Sequence, residues 1–136
     1  KAAIALFKRG GLICQRRGLV LVDTKYEFAD YHGELILIDE IHTPDSSRFW
    51  RTKNYQERFK KGLEPENFDK EFFRLWYAKK GYRGDGQPPK MSTDLQIKTA
   101  IRYIKIYEMI TGKRFKPKKY PVEEGIIKKI KSLKIH

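Results

Sequence analysis

Apolar residues Ile4, Leu6, Phe7, Leu12 and Ile13 recur near the start of the chain at spacings that predict the end of a helix over residues 2–15. Gly10 and Gly11 fall inside it and are expected to weaken or interrupt it, because glycine is a poor helix former. After Gly18 comes an unbroken apolar run, residues 19–22, which predicts a strand covered on both faces. Residues 24–29 continue as extended chain, and residues 35–38 form a second apolar strand. Between them, Tyr31, His32 and Gly33 fit a three-residue hairpin loop with Gly33 in the left-handed conformation.

Helical spacing dominates the remainder of the chain. A short helix is predicted over residues 54–61, stopped by Gly62. Asn67 is placed to cap a helix over 68–80, with Gly81 just beyond it and Phe68, Phe72 and Trp76 forming an apolar stripe. A Gly/Pro loop occupies 84–89. Thr93 and Gln96 have the spacing of a capping box that opens a long helix ending at Thr111, with Gly112 as its terminator. Ile97, Ile101, Ile104 and Met109 supply that helix's apolar face. Pro121 suits the first turn of a last helix whose basic end runs to His136. The expected fold is α+β, an antiparallel β-hairpin or sheet packed with helices, as one domain over residues 1–136.

Charge changes this picture. The net charge is +13, yet residues 23–47 carry seven carboxylates and one lysine, an acidic island in a basic protein. On a continuous strand Asp23, Lys25 and Glu27 share one face and Tyr26 and Phe28 the other. A three-residue loop at 31–33 pairs Asp30 with Glu34, sets Lys25 opposite Asp39, and so adds Asp39 to the charged face; a two-residue loop puts Asp39 on the far face. On that geometry Glu27 and Asp39 are candidate Mg²⁺ ligands, since Mg²⁺ takes a couple of carboxylates together with phosphate oxygens and water. Lys25 is then a candidate for phosphates or a reacting carboxylate. A salt-bridged strand pair on a wet sheet face explains the same residues without chemistry.

In DEIHTPDSSRFW, residues 39–50, Pro44 and the Asp45-Ser46-Ser47 run predict a turn. Arg48 either pairs with Asp45 or grips a phosphate or carboxylate. Lys70 and Arg74, four residues apart, share a helix face that is either solvated or directed at substrate. His32, His42 and His136 lack metal-ligand spacing and are expected in loop or surface roles. The single cysteine, Cys14, reads as a small buried apolar residue; with no signal peptide it favours a reducing, cytoplasmic setting. No P-loop, HExxH, GxGxxG or nucleophile elbow is present, and no apolar run is long enough for a membrane span. The 35% charged content with abundant Lys and Ile has a thermophile character. Because the chain starts at Lys1 within a helical pattern, it reads as beginning mid-protein. A basic nucleic-acid-binding module accounts for the charge but leaves the carboxylates unexplained.

GLVLVDTKYEF followed by ELILIDEIHTPDSSRFW resembles the signature of SAICAR synthetases, and FDKEFFRLW and YIKIYEMITG resemble that family's carboxy-terminal helices. The resemblance covers nearly the whole chain, least in the last 20 or so residues. It implies a two-lobed, kinase-like plan of which this chain is most of the second lobe. It implies a carbon–nitrogen ligase of purine biosynthesis that uses ATP and Mg²⁺ to join carboxyaminoimidazole ribonucleotide and L-aspartate. Glu27 and Asp39 become the Mg-nucleotide carboxylates. Lys25 becomes the contact to nucleotide phosphates and the reacting group. Asp23, which with Lys25 forms the implied catalytic pair, Arg48 and Arg74 become ribonucleotide contacts, with Asp45, Ser47 and Lys70 as further substrate contacts. The family's amino-terminal β-rich region and its Gly/Ser/Lys/Arg segment are not in this sequence. The expectation is therefore a chain inactive alone, needing that part in cis or in trans. A homo-oligomer is compatible with the sequence; membrane association is not expected, and nucleic acid is the alternative partner. A non-catalytic remnant is the other reading.

Overall fold

The computed structural model describes residues 1–68 and 70–133; His136 and the two residues before it lie outside that range, so the expectation for His136 has no structural counterpart. The chain runs α1 (Ala2–Arg16), β1 (Leu19–Thr24), β2 (Glu27–Tyr31), β3 (Glu34–Ile38), β4 (Ser47–Arg51), α2 (Thr52–Lys60), α3 (Glu71–Lys79), α4 (Thr93–Thr111) and α5 (Val122–Ser132). This is the expected α+β arrangement, built on two separate two-stranded antiparallel sheets, β1–β4 and β2–β3.

The first sheet carries the core. Leu19 and Leu21 on β1 and Phe49 on β4 are buried together with Phe68, Cys14 of α1 and Ile106 of α4. The 66–68 segment lies along β4's other edge: Arg51 N–H donates to the Glu66 carbonyl at 2.9 Å and Phe68 N–H to the Phe49 carbonyl at 3.1 Å. Those bonds hold Asn67 and Phe68 extended, so Asn67 does not cap α3, which starts at Glu71. Arg102 of α4 donates to the Asn67 carbonyl at 2.7 Å and stacks its guanidinium over Phe72, 4.0 Å from the ring centroid.

Several expectations need correction. Residues 23–28 are not one strand: β1 ends at Thr24, and β2 starts at Glu27 in the other sheet. The hairpin loop has two residues, with Tyr31 paired to Glu34 and Glu27 to Ile38. Both loop residues have positive φ, 54° at His32 and 84° at Gly33, which suits the right-handed twist of the flanking strands. The Asp30 carboxylate caps the turn by accepting from Gly33 N–H at 3.0 Å. Residue 47, expected in a turn, instead opens β4. The α4 cap is Ser92, whose hydroxyl accepts from Leu95 N–H at 3.3 Å, one residue before the expected Thr93. The buried side of α4 is Leu95 and Ile106 with Met109 and Ile110 beside the core, whereas Ile97 and Ile101 are exposed.

Helix α1 runs through Gly10 and Gly11 without interruption. Gly10 is buried, and the ring of His42 lies where its side chain would be: a Cβ there would sit 2.4 Å from His42 Nε2. Burial lowers the His42 pKa below its usual 6.5, against a smaller opposing pull from the Leu6 carbonyl. Cys14 is 1% exposed, and burial raises its thiol pKa to about 11, in keeping with a packing role.

Phe49→Ala should cost about 3–5 kcal/mol in chemical denaturation, a large part of a small domain's stability, whereas Ile101→Ala should stay within about 0.5 kcal/mol; equal effects would place the buried face of α4 elsewhere. His42 is held neutral by burial, so the unfolded chain takes up its proton at higher pH than the folded one. The contribution is whole above the unfolded value of 6.5 and declines as pH falls through it. Between about pH 7.5 and about pH 5.5 the native chain should therefore lose more stability than a His42→Gln variant, read by denaturant titration at each pH.

Candidate functional site

The cleft is built around an irregularity in β1. Leu21 pairs with Phe49, but Asp23, not Val22, pairs with Arg48, so Val22 is an extra residue. Strict alternation would send Asp23 to the buried side with Leu19 and Leu21. The bulge reverses the parity and sends it outward. Thr24 and Ser47 then fall on the core side, where the buried Ser47 hydroxyl donates to Thr24 Oγ1 at 2.8 Å. On the outer side the Arg48 Nε donates to both Asp23 oxygens at 3.0 and 2.9 Å, with Nη2 also on Oδ2. Arg48 thus pairs with Asp23 rather than Asp45. The guanidinium holds the Asp23 carboxyl below the usual carboxylate range, so it stays ionised.

Beyond Thr24 the chain leaves the sheet. Lys25 N–H donates to the Ser46 carbonyl at 2.9 Å, tying this link to the turn before β4. That turn is knitted by hydroxyls: Thr43 Oγ1 accepts from the N–H groups of Asp45 and Ser46 at 3.3 and 3.2 Å, and Ser46 Oγ accepts from Thr43 N–H at 3.1 Å. Lys70, entering α3, grips it from the other side, with its N–H on the Pro44 carbonyl at 3.2 Å and its ammonium on Asp45 Oδ1 at 3.0 Å.

These pieces enclose an open cleft of about 570 Å³. Asp23, Lys25, Asp39, Asp45, Ser47, Arg48 and Lys70, all expected from the sequence, line it. Asp39 gets there by a route other than the one expected. It follows the last paired residue of β3 and adopts φ 69°, a left-handed turn that takes the chain out of the hairpin's alternation. Such backbone conformations cost of order 1–3 kcal/mol and persist where the surroundings demand them. Glu27 pairs with Lys25 but does not line the cleft. Arg74 lies in a neighbouring hollow with Phe73, Tyr77 and Tyr82 and pairs with Glu71 at 3.0 Å; Glu71 lines both. Glu40 and Glu71 line the cleft and were not singled out from the sequence. Glu40 adjoins Asp39 in the DEIHTPDSS run, which was a usable signal; nothing on the α3 pattern distinguished Glu71.

Lys25 is the electrostatic hub. Its hydrogen bond to Glu27 raises its pKa, and Asp39 and Glu40 act in the same direction. It is therefore a fixed positive charge at neutral pH and not a base. The cleft sets five carboxylates (Asp23, Asp39, Glu40, Asp45, Glu71) against three cations (Lys25, Arg48, Lys70). That surplus repels a bare polyanion but fits an anionic ligand that brings a divalent cation. Among the described residues no group of three or more His, Cys, Asp or Glu side chains is arranged to hold a metal by itself. One or two carboxylates with ligand oxygens is the donor set that Mg²⁺ accepts, and the acidic lining fits it. No helix among the described residues is long and apolar enough to cross a membrane.

Residues 1–90 match the SAICAR synthetase family model. A phosphoribosylaminoimidazole-succinocarboxamide synthase of Legionella pneumophila (strain Lens) is 53% identical over 116 residues, 83% of this chain and 37% of the relative. The solved SAICAR synthase from Saccharomyces cerevisiae, complexed with SAICAR, superposes with a TM-score of 0.69 at 34% identity, over 85% of this chain and 38% of that one. A type-2 SAICAR synthetase in complex with ADP gives 0.50 at 30% identity, over 79% of this chain and 34% of that one. With a family model over most of its length and close sequence relatives, this chain belongs to the SAICAR synthetase family and spans little more than a third of the length of the curated relatives it matches.

Proposed function

We propose that this chain is the carboxy-terminal, site-bearing part of an ATP-dependent ligase that joins carboxyaminoimidazole ribonucleotide to L-aspartate, giving SAICAR, ADP and phosphate. The observation that carries the reading is the cleft that brings Asp23, Lys25, Asp39, Arg48 and Lys70 together with more carboxylates than cations in its lining. Related structures named as complexes with SAICAR and with ADP support it.

A carboxylate is a poor electrophile. In the proposed course a carboxylate oxygen of the ribonucleotide takes the γ-phosphoryl group of ATP and ADP leaves. The aspartate amine then attacks the acyl carbon, the carbon–oxygen bond to phosphate breaks, and the amine loses its proton. The protein's share is positioning and charge screening. Lys25 offsets negative charge on the phosphates and the reacting carboxylate. The Asp23–Arg48 pair presents a rigid fork to the ribonucleotide, and Lys70, Asp45 and Ser47 flank it; Arg74 would reach the substrate from the adjoining hollow. Asp39 would hold Mg²⁺, which supplies charge neutralisation to the nucleotide phosphates when bound; Glu27, expected beside it as a ligand, lies outside the cleft and would act only by fixing Lys25.

The rest of the relatives' length bears on activity. The β2–β3 hairpin exposes Leu35 (66%) on one face and Ile38 (40%) on the other, and it makes no extensive contact with another element among the described residues. Apolar side chains on both faces of a lone hairpin are poorly served by water. They suit a surface covered by the remainder of a synthetase, in cis or in trans. The charge of +13 keeps a nucleic-acid-binding reading as the second one.

Asp39→Asn should weaken Mg-ADP binding about tenfold or more in calorimetry while leaving the circular dichroism unchanged. An unaltered affinity refutes the metal assignment; tight, steeply salt-dependent DNA or RNA binding with no Mg-ADP binding favours the second reading. In a coupled assay the chain alone should not turn over, and adding the amino-terminal part of a relative should restore activity. Leu35→Asp should block that rescue without unfolding the chain. Full turnover by the isolated chain would defeat the proposal that the remainder is required.

A further inference from the structure

We propose that His42 is the positioning residue of the cleft: its ring is seated in a socket on α1 that only glycine at position 10 leaves open, and this contact holds the 39–47 turn in ligand-ready form. The functional half of this proposal rests on the nucleotide-site reading, the structural half on geometry alone.

His42 does not line the cleft, but it lies midway along the segment that delivers Asp39, Asp45 and Ser47 to it. A Cβ on Gly10 would meet three of its ring atoms, Nε2 at 2.4 Å, Cε1 at 2.6 Å and Cδ2 at 2.8 Å, closer than any real contact. The Tyr26 hydroxyl lies 3.3 Å from Nε2, and the two rings meet edge to face with centroids 5.6 Å apart. Tyr26 directly follows Lys25, whose N–H bonds the Ser46 carbonyl. One ring therefore links α1, the 25–26 link and the turn, the three segments whose relative placement sets the distance from Lys25 to the Asp39 side of the cleft.

The backbone of the segment turns sharply at both ends of residues 39–42: Asp39 and His42 are left-handed, at φ 69° and 54°. Nδ1 of His42 is enclosed without a partner at hydrogen-bonding geometry among the described residues, and the Leu6 carbonyl exerts a pull on the ring weaker than the cost of burial. The ring is thus enclosed between the α1 backbone and Tyr26. Gly10 and Gly11 both lie inside the 15-residue helix, but a Cβ would meet the His42 ring at Gly10 and nothing within 4 Å at Gly11.

The test compares Gly10→Ala, His42→Ala and the double variant of this chain. Gly10→Ala should speed amide exchange about tenfold at Thr43, Asp45, Ser46 and Ser47 while Ile106 on α4 keeps its protection, and should weaken Mg-ADP binding about tenfold. The double variant should be no worse than His42→Ala, because the added methyl then enters vacated space. Equal acceleration across α4, additive losses, or locally faster exchange with unchanged Mg-ADP affinity would each overturn the positioning role. Should Gly10→Ala not fold, His42→Ala, which opens space rather than creating a clash, decides the matter by the same readouts. If the unaltered chain binds no Mg-ADP, the nucleotide-site reading fails for this chain, and local exchange with non-additivity still decides whether His42 seats the turn.

Discussion

The cleft depends on one extra residue in a β-ladder. Antiparallel pairing of β1 with β4 buries Leu19, Leu21 and Phe49, and the same alternation would bury Asp23 beside them. An ionised carboxylate in that position, away from water, would be far more costly than the pairing could offset. Val22 as a bulge moves Asp23 and Arg48 to the outer side and lets the small hydroxyls of Thr24 and Ser47 close the inner one. A hydrophobic core and a charged cleft can therefore share two short strands.

From that edge outward, the site is assembled by backbone bonds between segments distant in sequence. Lys25 is held to Ser46 and Lys70 to Pro44, so residues from the end of β1, the turn before β4 and the start of α3 converge. The surplus of carboxylates over cations sits within a protein of net charge +13. A basic surface draws anions toward a molecule, whereas an acidic lining favours, among them, ones accompanied by a cation.

The motifs carrying the family likeness were plain in the sequence, and so were most of the residues that line the cleft. Their geometry was less legible. Placing Asp39 with Lys25 relied on a three-residue hairpin loop, and the loop has two; His32 with Gly33 lacks the Asn-Gly or Asp-Gly cue of such turns. Asp39 reaches the cleft by a left-handed turn that no alternation rule foresees. β4 was hidden because Pro44 and two serines mask a strand that starts at the second serine. On α4 the isoleucines and other apolar residues run nearly round the helix, so periodicity alone could not tell the buried Ile106 from the exposed Ile101. Glu27 and Arg74 stand one contact away from the cleft, through Lys25 and Glu71. Side-chain spacing cannot separate a lining residue from its partner.

The buried Cys14 gives the molecule an internal timer. With its thiol pKa raised to about 11 and almost no surface exposed, it has little thiolate at neutral pH to meet an alkylating reagent. Modification must wait for α1 to lift from β1. The rate at which a small iodoacetyl compound labels this lone thiol is therefore a stopwatch for that opening, supplied by the native chain without any added probe.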